Sequence, residues 1–321
     1  MSTLVTKEPM AHGANVNDKQ RPPSRSSRRT DGSSRNGPRP ERGNFDRANP
    51  DRGRPRKKPA GRDTTRPEPS LPKREGDRIA KLLARAGVAS RRDVERMIED
   101  GRVTLDGERL DTPAVVLTSL RGVAVDGKPV GAAEAPRLFR FHKPSGLLTA
   151  ERDPKGRATI YDALRNALPR GAPRVMPVGR LDLNTEGLLL MTNDGELKRA
   201  MELPSSEIPR TYRARTFGDV SQEQLEDLMD GIEIEGVRYG SIDANLERRT
   251  GRNQWIELTL TEGKNREVRR VLEHLGLQVS RLMRLSYGPF ALDDLPRGAA
   301  DEIRGSDVAQ FRKQIMRKAE K

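Results

Sequence analysis

Cysteine is absent from all 321 residues, which excludes disulfides, thiolate nucleophiles and cysteine-based zinc sites. Histidine is nearly absent. His12, His142 and His274 are too scattered to suggest a His-ligand site, and no metal is expected. No apolar run approaches the ~18 residues of a membrane span, and the N-terminus lacks the apolar core of a secretory signal. An Arg/Ser-rich start can mimic an organelle transit peptide, but nine acidic residues within residues 1–75 argue against one. A cytoplasmic protein without a membrane partner is expected. Also missing are G-x-x-x-x-G-K-[ST], a G-x-G-x-x-G after a strand, H-E-x-x-H and G-x-S-x-G. Nucleotide hydrolysis, dinucleotide redox chemistry and serine or zinc hydrolysis therefore have no support, and no cofactor is expected.

What the chain has is positive charge, unevenly placed. It carries 61 Lys and Arg against 47 Asp and Glu, a formal charge of +14. Residues 1–75 hold 19 basic and 9 acidic residues, leaving 42 and 38 for the remainder. The excess is thus mostly a property of the first quarter, and it supports a polyanion partner only loosely. That quarter is dominated by Arg, Pro, Ser, Gly, Asn and Asp. It cannot bury enough apolar area to offset its ordering entropy, so residues 1–75 read as a disordered tail, either solubilising or tethering RNA non-specifically. The rest has room for two domains.

Helical periodicity begins at Arg78. Ile79, Leu82, Leu83 and Ala86 share one face, and Gly87 is placed to end the helix. Ser90 opens a second helix with an S-x-x-D signal, Val94, Met97 and Ile98 supply its apolar face, and Gly101 stops it. Strand signals at Val103–Leu105 and Val123–Val125 each run into an Asp-Gly turn. Residues 76–135 thus form a small helix-helix-hairpin domain, ending in an Ala/Gly/Pro linker at residues 130–136. Beyond it, residues 136–300 mix hairpins with separated helices, an α+β pattern rather than a βαβ repeat. Ser221 to Gln224 form a capping box, Trp255 to Leu260 alternate as a half-buried strand, and Val268, Val271, Leu272 and Leu275 line a helix. Residues 301–321 are a basic C-terminal segment.

The most informative stretch is Gly179-Arg180-Leu181-Asp182-Leu183, leading into a buried-looking strand at residues 188–192 and a turn at Asn193-Asp194-Gly195. A carboxylate set between leucines costs several kcal/mol if it is desolvated without a partner, so Asp182 calls for a compensating cation. Taken singly, Asp182 would more often be a turn or cap residue, Tyr212 a strand core residue, and Arg269 a snorkelling arginine beside an apolar stripe. Trp255 reads as a packing residue.

Residues 78–103, from Arg78-Ile79-Ala80-Lys81-Leu82-Leu83-Ala84 through Ser90-Arg91-Arg92 to Gly101-Arg102-Val103, resemble the S4 RNA-binding domain over almost every position. The resemblance implies that Arg91, Arg92 and Arg102 contact RNA phosphates.

Three later segments resemble the ribosomal RNA pseudouridine synthases of the small-subunit-type branch. They are His142-Lys143-Pro144-Ser145-Gly146 with Asp153 to Thr159, residues 179–195, and Glu262-Gly263-Lys264-Asn265-Arg266-Glu267-Val268-Arg269-Arg270 continuing into Arg284 to Pro289. The resemblance spans about residues 76–300 and implies a mixed, largely antiparallel catalytic sheet. It implies Asp182 as the required aspartate, Tyr212 as the base-stacking tyrosine and Arg269 as the cation pairing with Asp182. Arg180 would hold the displaced site, and Lys264 and Arg266 are further candidates for substrate binding. Some members carry His-Gln where this chain has Arg266-Glu267. That departure is closest to the large-subunit type B synthases, which favours 23S over 16S ribosomal RNA as partner. The alternatives are a catalytically inert S4-type RNA-binding or ribosome-assembly factor, a 16S synthase and a tRNA-modifying enzyme. A monomer is expected.

Overall fold

Alternation and capping account for most of the architecture. The computed structural model describes residues 75–319; the tail expected over residues 1–75 lies, Glu75 apart, outside them. The first domain comprises β1 (Asp77–Arg78), α1 (Ile79–Arg85), α2 (Arg91–Glu99), β2 (Val103–Leu105), β3 (Glu108–Arg109), β4 (Val116–Leu117), β5 (Val123–Val125) and β6 (Lys128–Pro129). Ser90 caps α2 by accepting the Asp93 N–H at 3.2 Å. Ile79, Leu83, Val94, Ile98, Val103 and Val123 close the core. The two strand signals pair with each other rather than forming separate units, in the sheet order β3-β2-β5-β6. Each also turns back on its own Asp-Gly pair, where Asp106 and Gly107 (φ 51° and 89°) and Asp126 and Gly127 (φ 50° and 74°) adopt the left-handed geometry of a tight hairpin.

The second domain follows with β7 (Leu138–Lys143), α3 (Ile160–Ala167), β8 (Met176–Pro177), β9 (Thr185–Thr192), α4 (Gly195–Glu202), β10 (Arg210–Phe217) and α5 (Gln222–Glu226). Then come β11 (Ile232–Ile234), β12 (Val237–Tyr239), β13 (Ile242–Thr250), β14 (Asn253–Leu260), α6 (Glu267–His274), β15 (Gln278–Tyr287), β16 (Phe290–Ala291), β17 (Ala300–Glu302) and α7 (Gly305–Ala319). Its main sheet runs β13-β14-β10-β15-β9-β7-β17, with β16 beside β15 and β8 beside β9. Every pairing is antiparallel except β9 with β15.

All eight residues of β9 are buried, because both faces of this central strand are covered. Leu188 and Leu190 face Leu197, Met201 and Val308, whereas Leu189 and Met191 face Phe139, Phe141, Ile160 and Leu164. A third core joins α5 and α6 to β10, β13 and β14. No helix of the described residues is long and apolar enough to cross a membrane.

Two segments differ from the sequence reading. Asn193-Asp194-Gly195 is a helix start and not merely a turn: buried Asp194 accepts the N–H groups of Glu196 and Leu197 at 2.8 and 3.3 Å. The basic segment at residues 301–321 supplies the end of β17 and all of α7. Val308 and Ile315 of α7 enter the core, Phe311 meets Phe290 edge-to-face at 5.0 Å, and Arg312 pairs with Asp194 at 3.0 Å.

Candidate active site

Asp182 sits on the loop between β8 and β9, held from several directions. Leu181 is buried against α3's core, and its carbonyl accepts the Thr149 hydroxyl at 2.7 Å. Upstream, Gly179 (φ 69°) donates its N–H to Glu202 at 2.6 Å. Downstream, the carbonyl of Leu183 accepts the Gly146 N–H at 2.8 Å. Beneath the loop lies Lys143, fully buried. Its Nζ donates to the carbonyls of Thr185 at 2.8 Å, Pro144 at 3.0 Å, Asp182 at 3.1 Å and Leu183 at 3.3 Å. Four backbone dipoles converge on one ammonium, and burial lowers its pKa to about 8 despite the raising influence of Asp182 and Glu186.

The Asp182 side chain is 39% exposed, so it is not desolvated as its leucine neighbours suggested. Leu181 turns into the core while the carboxylate faces a cleft of about 1390 Å³. The cation in contact with it is Arg266, whose Nη1 lies 3.6 Å from Oδ2. Arg266 adopts left-handed backbone (φ 52°) at the N-cap of α6, and this bend turns its side chain to the loop.

The expected Asp182–Arg269 ion pair is therefore not formed directly. Arg269, buried in the first turn of α6, donates instead to the carbonyl of Asn184 at 3.1 Å, and to that of Val279 at 3.4 Å. It braces the Asp182 loop two residues beyond Asp182. Burial lowers its pKa, the charge of Arg266 lowers it further, and Asp182 opposes both.

Tyr212 lines the same cleft as Asp182, Arg266 and Arg269; on β10 it stands opposite Leu258 and Arg284. Arg180 is exposed at the cleft wall. Lys264 lines it too, but its Nζ is engaged by Glu262 at 2.5 Å and the Arg238 carbonyl at 2.7 Å. From the first domain, Arg91 reaches the cleft together with Lys81 and Arg85. Arg92 is exposed outside its lining. Arg102 is held in a two-point contact with Asp126 at 2.6 and 2.8 Å, so its charge is already answered within the domain.

Three buried cations escaped the sequence reading as site residues. Lys143 carried a usable signal: alternation along β7 places it on the inward side with Phe139 and Phe141, where a lysine needs a reason to be. Arg210 and Arg284 flank the ring of buried Tyr287, at 4.7 and 5.1 Å. Arg210 donates to the Tyr287 hydroxyl at 2.9 Å and to the carbonyl of Glu262 at 3.0 Å, fastening the loop before α6. Glu267 adds to that fastening, its Oε2 accepting the Lys264 N–H at 2.8 Å. Burial raises its carboxyl to about 7, and Oε1 has no partner among the described residues.

Comparison with known proteins gives the family. Residues 137–274 match the model of the RNA pseudouridylate synthase family, and residues 77–119 match the S4 domain. An uncharacterized RNA pseudouridine synthase of Rickettsia felis is 42% identical over 226 residues, 70% of this chain and 96% of the relative. The ribosomal large subunit pseudouridine synthase B of Haemophilus influenzae is 39% identical over 274 residues, 82% of this chain and 73% of the relative. The protein of that name from Shigella flexneri is 43% identical over 241 residues, 73% and 81% respectively. A solved pseudouridylate synthase superposes with a TM-score of 0.50 at 25% identity, covering 73% of this chain and 99% of that one. With an S4 domain ahead of a mixed, antiparallel-rich catalytic sheet, the chain belongs to the RNA pseudouridine synthase family and is an isomerase of uridine in RNA.

Proposed function

We propose that the substrate is ribosomal RNA, with 23S favoured over 16S, and that Asp182 carries the reaction as a monomeric cytoplasmic enzyme. The relatives named as large-subunit synthases support the choice of RNA. One observation carries the site assignment: a half-exposed carboxylate, fixed by a clamped loop, faces a cleft shared with Tyr212 and Arg266.

In this reaction the N1–C1′ bond breaks, the uracil turns, a C5–C1′ bond forms, and the C5 proton leaves as N1 gains one. Those atoms are hidden in a stack, so the uridine must be flipped out at a cost of a few kcal/mol. Tyr212 offers the flipped base an aromatic face, and Arg180 stands at the cleft wall to hold the vacated position. Asp182, with Arg266 as the cation beside it, supplies the electron pair as nucleophile or as counter-charge to the developing sugar cation. Arg269 and Lys143 keep its backbone in place. Arg91, and Arg92 beyond the cleft, extend the basic surface over RNA phosphates.

The test uses 23S and 16S RNA carrying tritium at C5 of uridine. Wild type should release tritium from 23S RNA and Asp182→Asn should not, while melting at the wild-type temperature. Release from 16S RNA alone would reassign the substrate. No release from either, with binding intact, would leave an RNA-binding assembly factor.

A further inference from the structure

The catalytic sheet has a second face. Along β10, Tyr212 points to the active-site side, so Arg213 and Arg215 point to the other. On that opposite face one register level crosses four strands: Arg248 of β13 pairs with Trp255 of β14, Trp255 with Arg215 of β10, and Arg215 with Arg281 of β15. The result is an Arg-Trp-Arg-Arg row. Like charges on adjacent strands are unfavourable in a free sheet, and the three arginines are all exposed. The neighbouring cations are answered: Arg281 by Glu186, Arg213 by Glu247, Arg249 and Arg252 by Asp219. Arg215 accepts the Ser280 hydroxyl only at its backbone carbonyl, and among the described residues the guanidinium groups of Arg215 and Arg248 have no ion-pair or hydrogen-bond partner. They wall a shallow hollow of about 360 Å³ floored by Trp255.

The aromatics reinforce the pattern. The chain has one tryptophan, and here it lies under the guanidinium of Arg213 at 4.8 Å. Phe217, 39% exposed, lies on the same face of β10 under Arg252 at 4.7 Å. Stacking fixes these two guanidinium groups over the rings, but their Nε donors already go to Glu247 and Asp219, which leaves Arg215 and Arg248 as the arginines with free donors. Glu257, also on this face, opposes Arg213 across the strands rather than the two unanswered arginines.

We infer that this face is a second RNA-contact surface, on which Arg215 and Arg248 bind backbone phosphates of a segment remote from the target uridine. A strand threaded past Tyr212 cannot also lie on the reverse of the same sheet without wrapping round its edge, so the segment is a separate part of a folded RNA. The surface would favour structured RNA over a short stem-loop. The inference rests on the reading of ribosomal RNA as substrate.

The test compares the full wild-type chain with Arg215→Gln/Arg248→Gln and with Arg215→Lys/Arg248→Lys. Binding is measured against salt on full-length 23S and 16S transcripts, and turnover by tritium release. For the Gln pair, the slope of log Kd against log salt on the bound transcript should become shallower by about 1.8, roughly 0.9 per phosphate contact. KM should rise at least about threefold with kcat unchanged. The Lys pair should restore the slope. An unchanged slope overturns the inference, as does a fall in kcat alone. A concentration-dependent dimer lost in the Gln pair, with the slope unchanged, would assign the face to a second copy and overturn it too. If wild type binds the transcripts but releases no tritium from either, the substrate reading fails while the slope still decides this one.

Discussion

Lys143 Nζ lies 3.1 Å from the carbonyl oxygen of Asp182, so the residue proposed to carry the chemistry is fixed through its backbone by a buried ammonium. The side chain of Asp182 is left free to face the cleft. Replacing Lys143 with Met keeps the length of the stem and removes all four donor contacts. Displacement of a reacting group by about 1 Å costs on the order of 10²-fold, and kcat of Lys143→Met should fall at least that far with far-UV circular dichroism unchanged. Activity within twofold of wild type would show that the loop holds itself.

The pH dependence separates the clamp from stability. Because burial lowers Lys143 from its ordinary 10.5 to about 8, the unfolded chain binds more protons between those values. Its contribution to stability therefore rises across that window, by about 3 kcal/mol. The neutral amine nevertheless has one donor fewer for four carbonyls. We expect kcat to fall with an apparent pKa near 8 while the melting temperature does not fall in step. A kcat that is level to pH 10 would refute this.

Arg266 and Arg269 should fail differently. Arg266 is 46% exposed, and among the described residues its guanidinium pairs only with Asp182 and Glu273. Arg266→Ala should lower kcat by about 10- to 100-fold and shift stability by no more than about 0.5 kcal/mol. Arg269→Ala strips buried carbonyls of their donors, at about 1–3 kcal/mol, so urea unfolding and kcat should both suffer. Equal losses in both assays for both variants would contradict the division of labour.

Gly187 of β9 lies directly opposite Arg284 of β15. Its φ is 101°, and a Cβ there would overlap the carbonyl of Arg284 and lie 2.7 Å from its nitrogen. Gly187→Ala should cost about 3 kcal/mol or more in urea unfolding, combining strain with overpacking. A loss below 1 kcal/mol would mean the strands can part.

Glu267 gives the opposite sign from Lys143. Its carboxyl is raised from 4.5 to about 7, so the stability it contributes is complete below pH 4.5 and is lost as pH rises through 7. The change amounts to about 3 kcal/mol. Wild type should melt lower at pH 8 than at pH 6, and Glu267→Gln should flatten the difference and melt higher at pH 8. Parallel curves for the two proteins would sink the assignment.

Local patterns carried much of this molecule. The spacing of Ile79, Leu83, Val94 and Ile98, the caps at Ser90 and Ser221, and the alternation from Trp255 to Leu260 depend on neighbours within a few residues, and the structure repeats them. Motif order likewise put Asp182, Tyr212 and Arg269 forward together, with Arg266 only as a further substrate-binding candidate. Non-local features stayed hidden. That Arg266 and not Arg269 meets the carboxylate depends on a left-handed bend at one residue. That the second oxygen of buried Asp194 finds a cation depends on Arg312, 118 positions away. The Arg-Trp-Arg-Arg row exists only in the register of four strands. Sequence by itself determined the elements and the chemistry on offer, because propensity, capping and composition are short-range. Tertiary structure alone decided which cation meets which carboxylate, which lysine holds the loop and which arginines remain unanswered. Those outcomes follow from distances between segments, which no local pattern encodes.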